Sequence, residues 1–328
     1  MKSFAKFCHV ATIAGVCLLS VASQAKAAAP LRIGFSDWPG FTGLQIAVDK
    51  GWFKEAGVDV TMSWFDYSAS LDAFSAGKLD ADFLATGDSL SIGASGAKNV
   101  IIMLTDYSSG NDQVIGAPGV KSVKELKGKK VGVEVGLVDH LLLEDALKKN
   151  GLKITDVTLV NSKSDQLPQV LSSGAVAAVA VWQPISGQAM KMSPGAKPIF
   201  TSAKAPGLIY DGLAVSPQSF KERRADWEKV IKVWYRVQAY INDPKTRPDA
   251  LKIMSARDGV DTKTYLPYVK GTHILSLAEA KKAFIKSDKL SSLYGSDIVA
   301  DEFNVRNGVY KTPQDLESYI DASITEAQ

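Results

Sequence analysis

From Leu31 onward the apolar positions follow two alternating rhythms. Short β-rich runs closed by turn residues give way to stretches whose apolar positions recur at helical spacing. Leu31 to Phe35 reads as a strand, Leu44 to Phe53 as a helix stopped by Gly57, and Val58 to Phe65 as a second strand with Val58, Val60, Met62 and Trp64 on one side. Leu71 to Ala76 is helical up to Gly77. Phe83 to Ala85 runs into Thr86-Gly87-Asp88, a strand entering a helix cap, and Val100 to Leu104 is a fourth strand.

A second series starts after Pro118-Gly119. It has a short helix at Val123 to Leu126, a strand at Lys130 to Val133 and a helix at Leu137 to Lys149 closed by Asn150-Gly151. Strand Val157 to Val160, helix Gln166 to Leu171 and strand Ala177 to Val181 complete it. Strands alternating with helices of this size imply βαβ units and mostly parallel sheets. Past the strand Tyr210 to Val215 the chain turns helical, at Trp227 to Ile241, Pro244 to Ala256, Leu277 to Ile285 and Pro313 to Ile320. The pattern predicts an α/β protein of two lobes with a C-terminal helical layer, crossing between lobes near Asn111 to Pro118 and Tyr210 to Ser216.

Composition sharpens this reading. The 328 residues are 46% hydrophobic and 22% charged, enough for a sizeable core, which excludes disorder, collagen and coiled coil. Residues 1–27 read as an export signal: Lys2 and Lys6, an apolar stretch from Val10 to Val21, and Ala25-Lys26-Ala27 as the cleavage site, with Ser23-Gln24-Ala25 a rival. The stretch is shorter than the roughly 20 apolar residues of a membrane span. With Lys2, Lys6 and Lys26 in the leader, the remaining bases match the 35 acids, so the net charge of +3 belongs to the leader. A neutral chain without a basic run lacks the footprint of a nucleic-acid binder. Cys8 and Cys17 also fall in the leader, which leaves no thiol for a disulfide, a metal or a nucleophile.

The common catalytic signatures are missing: no GxxxxGK[ST] loop, no GxGxxG after a strand and no GxSxG elbow. His140 and His273 are the histidines beyond the leader, too few for a triad or a closed metal site, and His140 with Glu144 reads as a helix-face pair. In open α/β sheets ligands bind beyond the carboxyl ends of the strands. Those positions carry six acids, Asp37, Asp66, Asp88, Asp106, Glu134 and Asp211, and four aromatics with a polar tip, Trp38, Tyr107, Trp182 and Tyr210, against one base, Lys163. An anion site needs Arg or Lys beside free N–H groups, whereas an organic cation needs carboxylates and aromatic faces. The set fits the cation. Helix capping serves as well for Asp66, Asp88 and Asp37, though not for Glu134, and Trp182 fits a core position as well as a cleft one.

Three stretches carry a family resemblance: Gly51-Trp52-Phe53-Lys54-Glu55-Ala56-Gly57, Ala76-Gly77-Lys78-Leu79-Asp80-Ala81, and Val123-Lys124-Glu125-Leu126-Lys127-Gly128-Lys129-Lys130-Val131-Gly132. In this order they resemble the periplasmic substrate-binding proteins of the nitrate, sulfonate and taurine class of ABC importers. The resemblance implies a two-lobed periplasmic-binding-protein fold of type II with two crossing hinge strands. Its implied divisions are a leader (1–27), a first lobe (28–112), a second lobe (113–210), and a return strand with the C-terminal helices (211–328). It also implies a non-enzymatic, monomeric protein without cofactor or metal. Such a protein takes a small-molecule solute in the periplasm and hands it to a permease with its ATPase at the inner membrane. The run Trp64-Phe65-Asp66-Tyr67, the Gly110-Asn111-Asp112 turn and Ala180-Val181-Trp182-Gln183-Pro184 are similar to members associated with urea or guanidine uptake. The expected ligand residues are Asp37, Trp38, Asp66, Asp88, Tyr107, Glu134, Trp182 and Asp211, holding guanidinium or a relative. An aliphatic sulfonate, taurine or nitrate, held by helix N-termini and Lys163, is the alternative. Pyrimidine-forming enzymes of thiamine synthesis share the fold but keep a cysteine-rich motif, absent here beyond the leader.

Overall fold

The computed structural model describes residues 29–328, so the leader, its lysines and both cysteines lie outside the described residues. Among the described residues there are eleven strands: β1 Leu31–Phe35, β2 Val60–Trp64, β3 Ala81–Ala85, β4 Val100–Ser108, β5 Asp112–Gly116, β6 Lys130–Val133, β7 Thr158–Asn161, β8 Ala178–Trp182, β9 Lys197–Thr201, β10 Tyr210–Val215 and β11 Thr272–Ile274. They form two sheets, ordered β11-β4-β10-β3-β1-β2 and β7-β6-β8-β5-β9. In each sheet the βαβ units pair in parallel, while β10 lies antiparallel between β3 and β4, and β5 antiparallel between β8 and β9. These antiparallel returns tie the sheets to one chain path running out and back.

Core composition follows from position. The inner strands β3 and β8 are buried along their whole length and read as continuous apolar runs broken only by Asp82, as expected when helices cover both faces. Helix Arg224–Asn242 buries Trp227, Val230, Ile231, Trp234, Val237 and Ile241, a stripe at three- and four-residue steps. Each aliphatic member of that stripe is worth about 1.5–3 kcal/mol in burial.

The crossings lie a few residues ahead of the expected segments. The chain leaves the first sheet at the end of β4 and enters the second at Asp112, then returns between β9 and Tyr210. The expected helix from Leu44 to Phe53 is two pieces, Leu44–Asp49 and Trp52–Glu55, because Gly51 adopts a left-handed φ of 67° between them. The expected helix from Pro313 to Ile320 is a single 3₁₀ turn, Leu316–Tyr319. There the Gln314 N–H donates to Asp301 Oδ1 at 2.9 Å rather than to a helical carbonyl. The helix cap expected at Thr86-Gly87-Asp88 opens helix Thr86–Ala94, whereas helices Ile185–Met192 and Leu293–Arg306 have no counterpart in the expected pattern.

Candidate functional site

Strand register brings the chemistry together. Asp211 on β10 pairs across the ladder with Asp106 on β4, and Asp112 at the start of β5 pairs with Trp182 at the end of β8. Between the two sheets these residues enclose a small chamber of about 20 Å³ lined by Trp38, Phe41, Tyr67, Ala85, Asp112, Val138, Trp182, Ile209 and Asp211. That is little more than the roughly 10–15 Å³ one ordered water needs, so a solute of several heavy atoms would require the chamber to widen around it. No Lys or Arg is among the lining residues.

The chamber is built from constrained side chains. Trp38 donates its indole N–H to Asp106 Oδ1 at 2.9 Å. Gly40 lets the loop close on that pair, since a Cβ there would run into the Asp106 carboxylate and the Trp38 indole nitrogen. Tyr67, at the start of helix Tyr67–Ser75, donates to Asp88 Oδ2 at 2.8 Å and accepts from the Ala85 N–H at 3.0 Å. Its ring meets Trp182 edge-on at 5.2 Å. On the outer side of Tyr67 and Trp182 lies a second recess of about 220 Å³, lined by residues that include Asp37, Asp66, Ser68, Lys163 and Asp165.

Electrostatics set the chamber apart. Asp88, Asp106, Asp112, Asp139 and Asp211 are all buried, at 4% exposure or less. Burial drives every one upward: Asp106 to about 6, Asp112 to about 7 and Asp88 to about 8, with Asp139 and Asp211 well above the ordinary carboxylate range. Their neighbours reinforce this for Asp139, Asp211, Asp112 and Asp88, since the nearest charges are other carboxylates. Oδ2 of Asp106, Asp112 and Asp211 and both carboxylate oxygens of Asp139 have no hydrogen-bond donor. Buried carboxylates without a counter-charge are expensive, so protons or a bound cation must complete the chamber.

Of the eight expected site residues, Trp38, Trp182 and Asp211 line the chamber and Asp88 stands directly behind Tyr67. Asp37 and Asp66 line the outer recess, where the Trp182 indole donates to Asp37 Oδ1 at 3.3 Å and burial raises Asp37 to about 6. Asp66 occupies the N-cap position of its helix without making a cap bond, and Asp88 lies inside the first turn of Thr86–Ala94, so capping explains neither. Glu134 is engaged elsewhere: it accepts from Ser68 Oγ at 2.6 Å across the cleft, and from Ser164 N and Oγ at 2.8 Å each. Tyr107 stacks on His273 at 4.6 Å and meets Tyr210 edge-on, away from both linings.

Tyr67, Asp112 and Asp139 were outside the expected set. Tyr67 sat in the run Trp64-Phe65-Asp66-Tyr67 and Asp112 in the turn Gly110-Asn111-Asp112, both quoted for the resemblance, and Asp139 lies three residues past Gly136, one helical turn beyond the strand-end positions counted. Among the described residues no group of three or more His, Cys, Asp or Glu has the arrangement to hold a metal. No helix among them is long and apolar enough to cross a membrane.

Comparison with known proteins adds three kinds of match. Residues 24–255 match the NMT1-like family. Of the curated relatives, a Brucella abortus protein named "Putative binding protein BAB2_1146" is 34% identical over 169 residues, 51% of this chain and 52% of its own length. An Escherichia coli protein named "Putative aliphatic sulfonates-binding protein" is 28% identical over 187 residues, 54% of this chain and 57% of its own. The chain thus spans about half the length of the curated relatives it matches. Among solved structures, the alkanesulfonate-binding protein SsuA from Xanthomonas axonopodis pv. citri, bound to MOPS, superposes with a TM-score of 0.75 at 16% identity, covering 91% of this chain and all of that one. At that identity the likeness establishes a shared two-lobed fold.

Proposed function

Because the chain belongs to the NMT1-like family, we propose that it is the solute-binding component of an ABC importer of the nitrate, sulfonate and taurine class. It works in the periplasm after loss of residues 1–27 and delivers its solute to a permease with its ATPase. Its solute is a small nitrogen-rich cation, guanidinium or a close relative, closed between the two lobes. One observation carries the choice of solute: buried carboxylates crowd a chamber whose lining holds no Lys or Arg. Guanidinium is flat and only donates, so carboxylates satisfy its N–H groups, while Trp38 and Trp182 offer faces for cation–π contact at about 0.5–2 kcal/mol each. Asp211 and Asp112 take the direct contacts and Asp88 acts through Tyr67. Asp37 and Asp66 attract the cation to the outer recess, and Glu134 and Tyr107 shape the cleft around it.

A second reading, an aliphatic sulfonate, taurine or nitrate, is favoured by Lys163 in the outer recess and by the sulfonate in the names of the relatives. A thermal-shift screen of the processed protein against low-millimolar guanidinium, methylguanidine, urea, taurine, alkanesulfonates and nitrate separates the two. Ligand at 100 times its Kd adds about 2.7 kcal/mol of stability. A rise with guanidinium and none with the anions is expected; a rise with sulfonates or nitrate alone overturns the cation.

A further inference from the structure

The acids of the chamber are not scattered; they come in pairs. Asp211 and Asp106 are cross-strand partners on β10 and β4, within hydrogen-bonding reach of each other. Asp112 on β5 and Asp139, in the first turn of helix Val138–Lys149, are not ladder partners, but that helix packs on β5 and the two buried carboxyls are electrostatic neighbours. In each pair the member on the chamber wall, Asp211 or Asp112, is backed by a deeper acid, Asp106 or Asp139, that the wall does not include. Two ionised carboxylates facing one another have no donor between them, which accounts for the donorless oxygens of all four. One proton shared within each pair supplies that donor and removes the like-charge repulsion.

We propose that a cation entering the chamber is exchanged for protons held within the Asp106–Asp211 and Asp112–Asp139 pairs, so that capture and proton release are one event. The inference rests on the cation reading of the site. It assigns direct contacts to Asp112 and Asp211, and makes Asp106 and Asp139 positioning residues that hold the proton when the chamber is empty. Burial raises all four carboxyls, which keeps the protons in place near neutral pH.

The groups around the pairs act in both directions: neighbouring carboxylates raise the acids, and nearby donors and His273 lower them. Asp88 presses on Asp139 and Asp211, and Glu134, from the turn after β6, presses on Asp88 and Asp139. The Tyr67 hydroxyl donates to Asp88, the Ser108 hydroxyl faces Asp112, the Trp38 indole donates to Asp106, and the Thr105 hydroxyl lies near Asp106 without a hydrogen-bond partner. His273, on β11, is the positive influence on Asp106 when it is protonated. An incoming cation supplies what these neighbours lack, a charge able to hold both wall carboxylates ionised together.

The test is titration calorimetry of the processed protein with guanidinium chloride at pH 6 and at pH 7, in phosphate and in Bis-Tris, whose ionisation heats differ widely. The expected result is a buffer-dependent heat equivalent to release of one to two protons per cation, with affinity rising about tenfold per pH unit for each proton released between pH 5 and 7. Binding with the same heat in both buffers overturns the exchange and leaves the cation reading standing. No guanidinium heat at either pH overturns both. Asp139→Asn supplies an amide N–H to Asp112 in place of the shared proton. It should keep guanidinium binding, lower the proton count by about one and flatten the pH profile. A purely structural role for Asp139 would shift melting without changing the proton count, and an unchanged count overturns the assignment. If Asp139→Asn fails to fold, Asp106→Asn puts the same question to the other pair, with the same two outcomes.

Discussion

Two sets of acids in this molecule live under opposite rules. On the outer surface, Asp80 accepts from the Arg32 backbone N–H at 2.8 Å, from Nε at 3.1 Å and from Nη2 at 2.7 Å, and Asp226 accepts from Arg223 Nε at 2.7 Å. Both are held below the ordinary carboxylate range by hydrogen bonds from those arginines, which outweigh their partial burial. In the chamber, Asp88, Asp106, Asp112, Asp139 and Asp211 have no arginine or lysine partner and are pushed up by burial. An unpaired buried charge destabilises a fold, so buried carboxyls either hold a proton or take a counter-charge. Asp82 and Asp297, away from the chamber, are buried and raised in the same way, so what distinguishes the chamber acids is their crowding around one lining, which the proposed cation would complete.

The largest way to break this comparison is to remove a chamber acid. Asp112→Asn and Asp211→Asn should each weaken guanidinium binding by about 100-fold, near 3 kcal/mol, since a charge-assisted bond and one unit of counter-charge go together. The unliganded protein should melt no lower than the parent, or higher, because like-charge repulsion is relieved. Calorimetry and a melting curve on the same sample measure both. Weaker binding together with a lower melting point would mean these acids hold the fold as the outer acids do.

pH sharpens the contrast next. A carboxyl whose folded pKa lies above its unfolded value binds its proton more tightly in the folded state. The stability it contributes is complete below the unfolded value near 3.8 and is lost as pH rises through the folded value. With Asp106 at about 6, Asp112 at about 7 and Asp88 at about 8, the unliganded protein should lose stability steadily from about pH 4 to pH 8. A cation's stabilising effect should grow over the same window, whereas a sulfonate's would shrink. Melting curves at half-unit steps with and without guanidinium read both slopes, and parallel slopes would contradict the cation site.

The cleft edges offer a smaller effect. Glu134 holds Ser68 of the first lobe and Ser164 of the second without touching the chamber, so Glu134→Gln should act on closure. An amide keeps one acceptor and loses the charge that strengthens these bonds. The expected result is about tenfold weaker binding, carried by faster release, with the proton count on binding unchanged. Stopped-flow release rates check this. A loss as large as that for Asp112→Asn would put Glu134 in contact with the ligand after all.

How much of this was legible in the sequence depends on where the burial signal lay. The βα alternation, the strand Lys130–Val133 and the strand Tyr210–Val215 were readable to the residue, because apolar runs and turn glycines mark them. Helix Leu293–Arg306 was invisible, and of Thr86–Ala94 only the cap was readable, for the opposite reason. They pack against each other through Gly87, where a Cβ would sit 3.0 Å from Ala300 Cβ, and bury Thr86, Asp88, Ser89, Ser296, Asp297 and Asn304. Small and polar residues on a buried face erase the periodicity on which such predictions depend. At the site, the excess of acids and aromatics over bases at strand ends was legible, and so was the family, from three spaced motifs. The pairing was not: Asp106 faces Asp211 because β10 returns antiparallel beside β4, and Asp139 reaches Asp112 from a helix one turn past its strand. Register and helix phase between distant segments have no one-dimensional signature.

The smallest expected effect tests the outer surface. Asp80→Asn removes an ion pair whose arginine is half exposed, at 49%, so solvent screens it and the cost should be at most about 1 kcal/mol. Its pH dependence should run opposite to the chamber's. A carboxyl held below its unfolded pKa contributes stability that is present above that value and lost as pH falls through the folded one, so the variant should be weaker than the parent at pH 7 and equal to it near pH 2. Guanidinium affinity and its proton count should not move. If Asp80→Asn changed either, the charges of the first lobe would act on the chamber as a whole. The line between acids that serve the fold and acids that serve the ligand would then have to be drawn by distance rather than by partner.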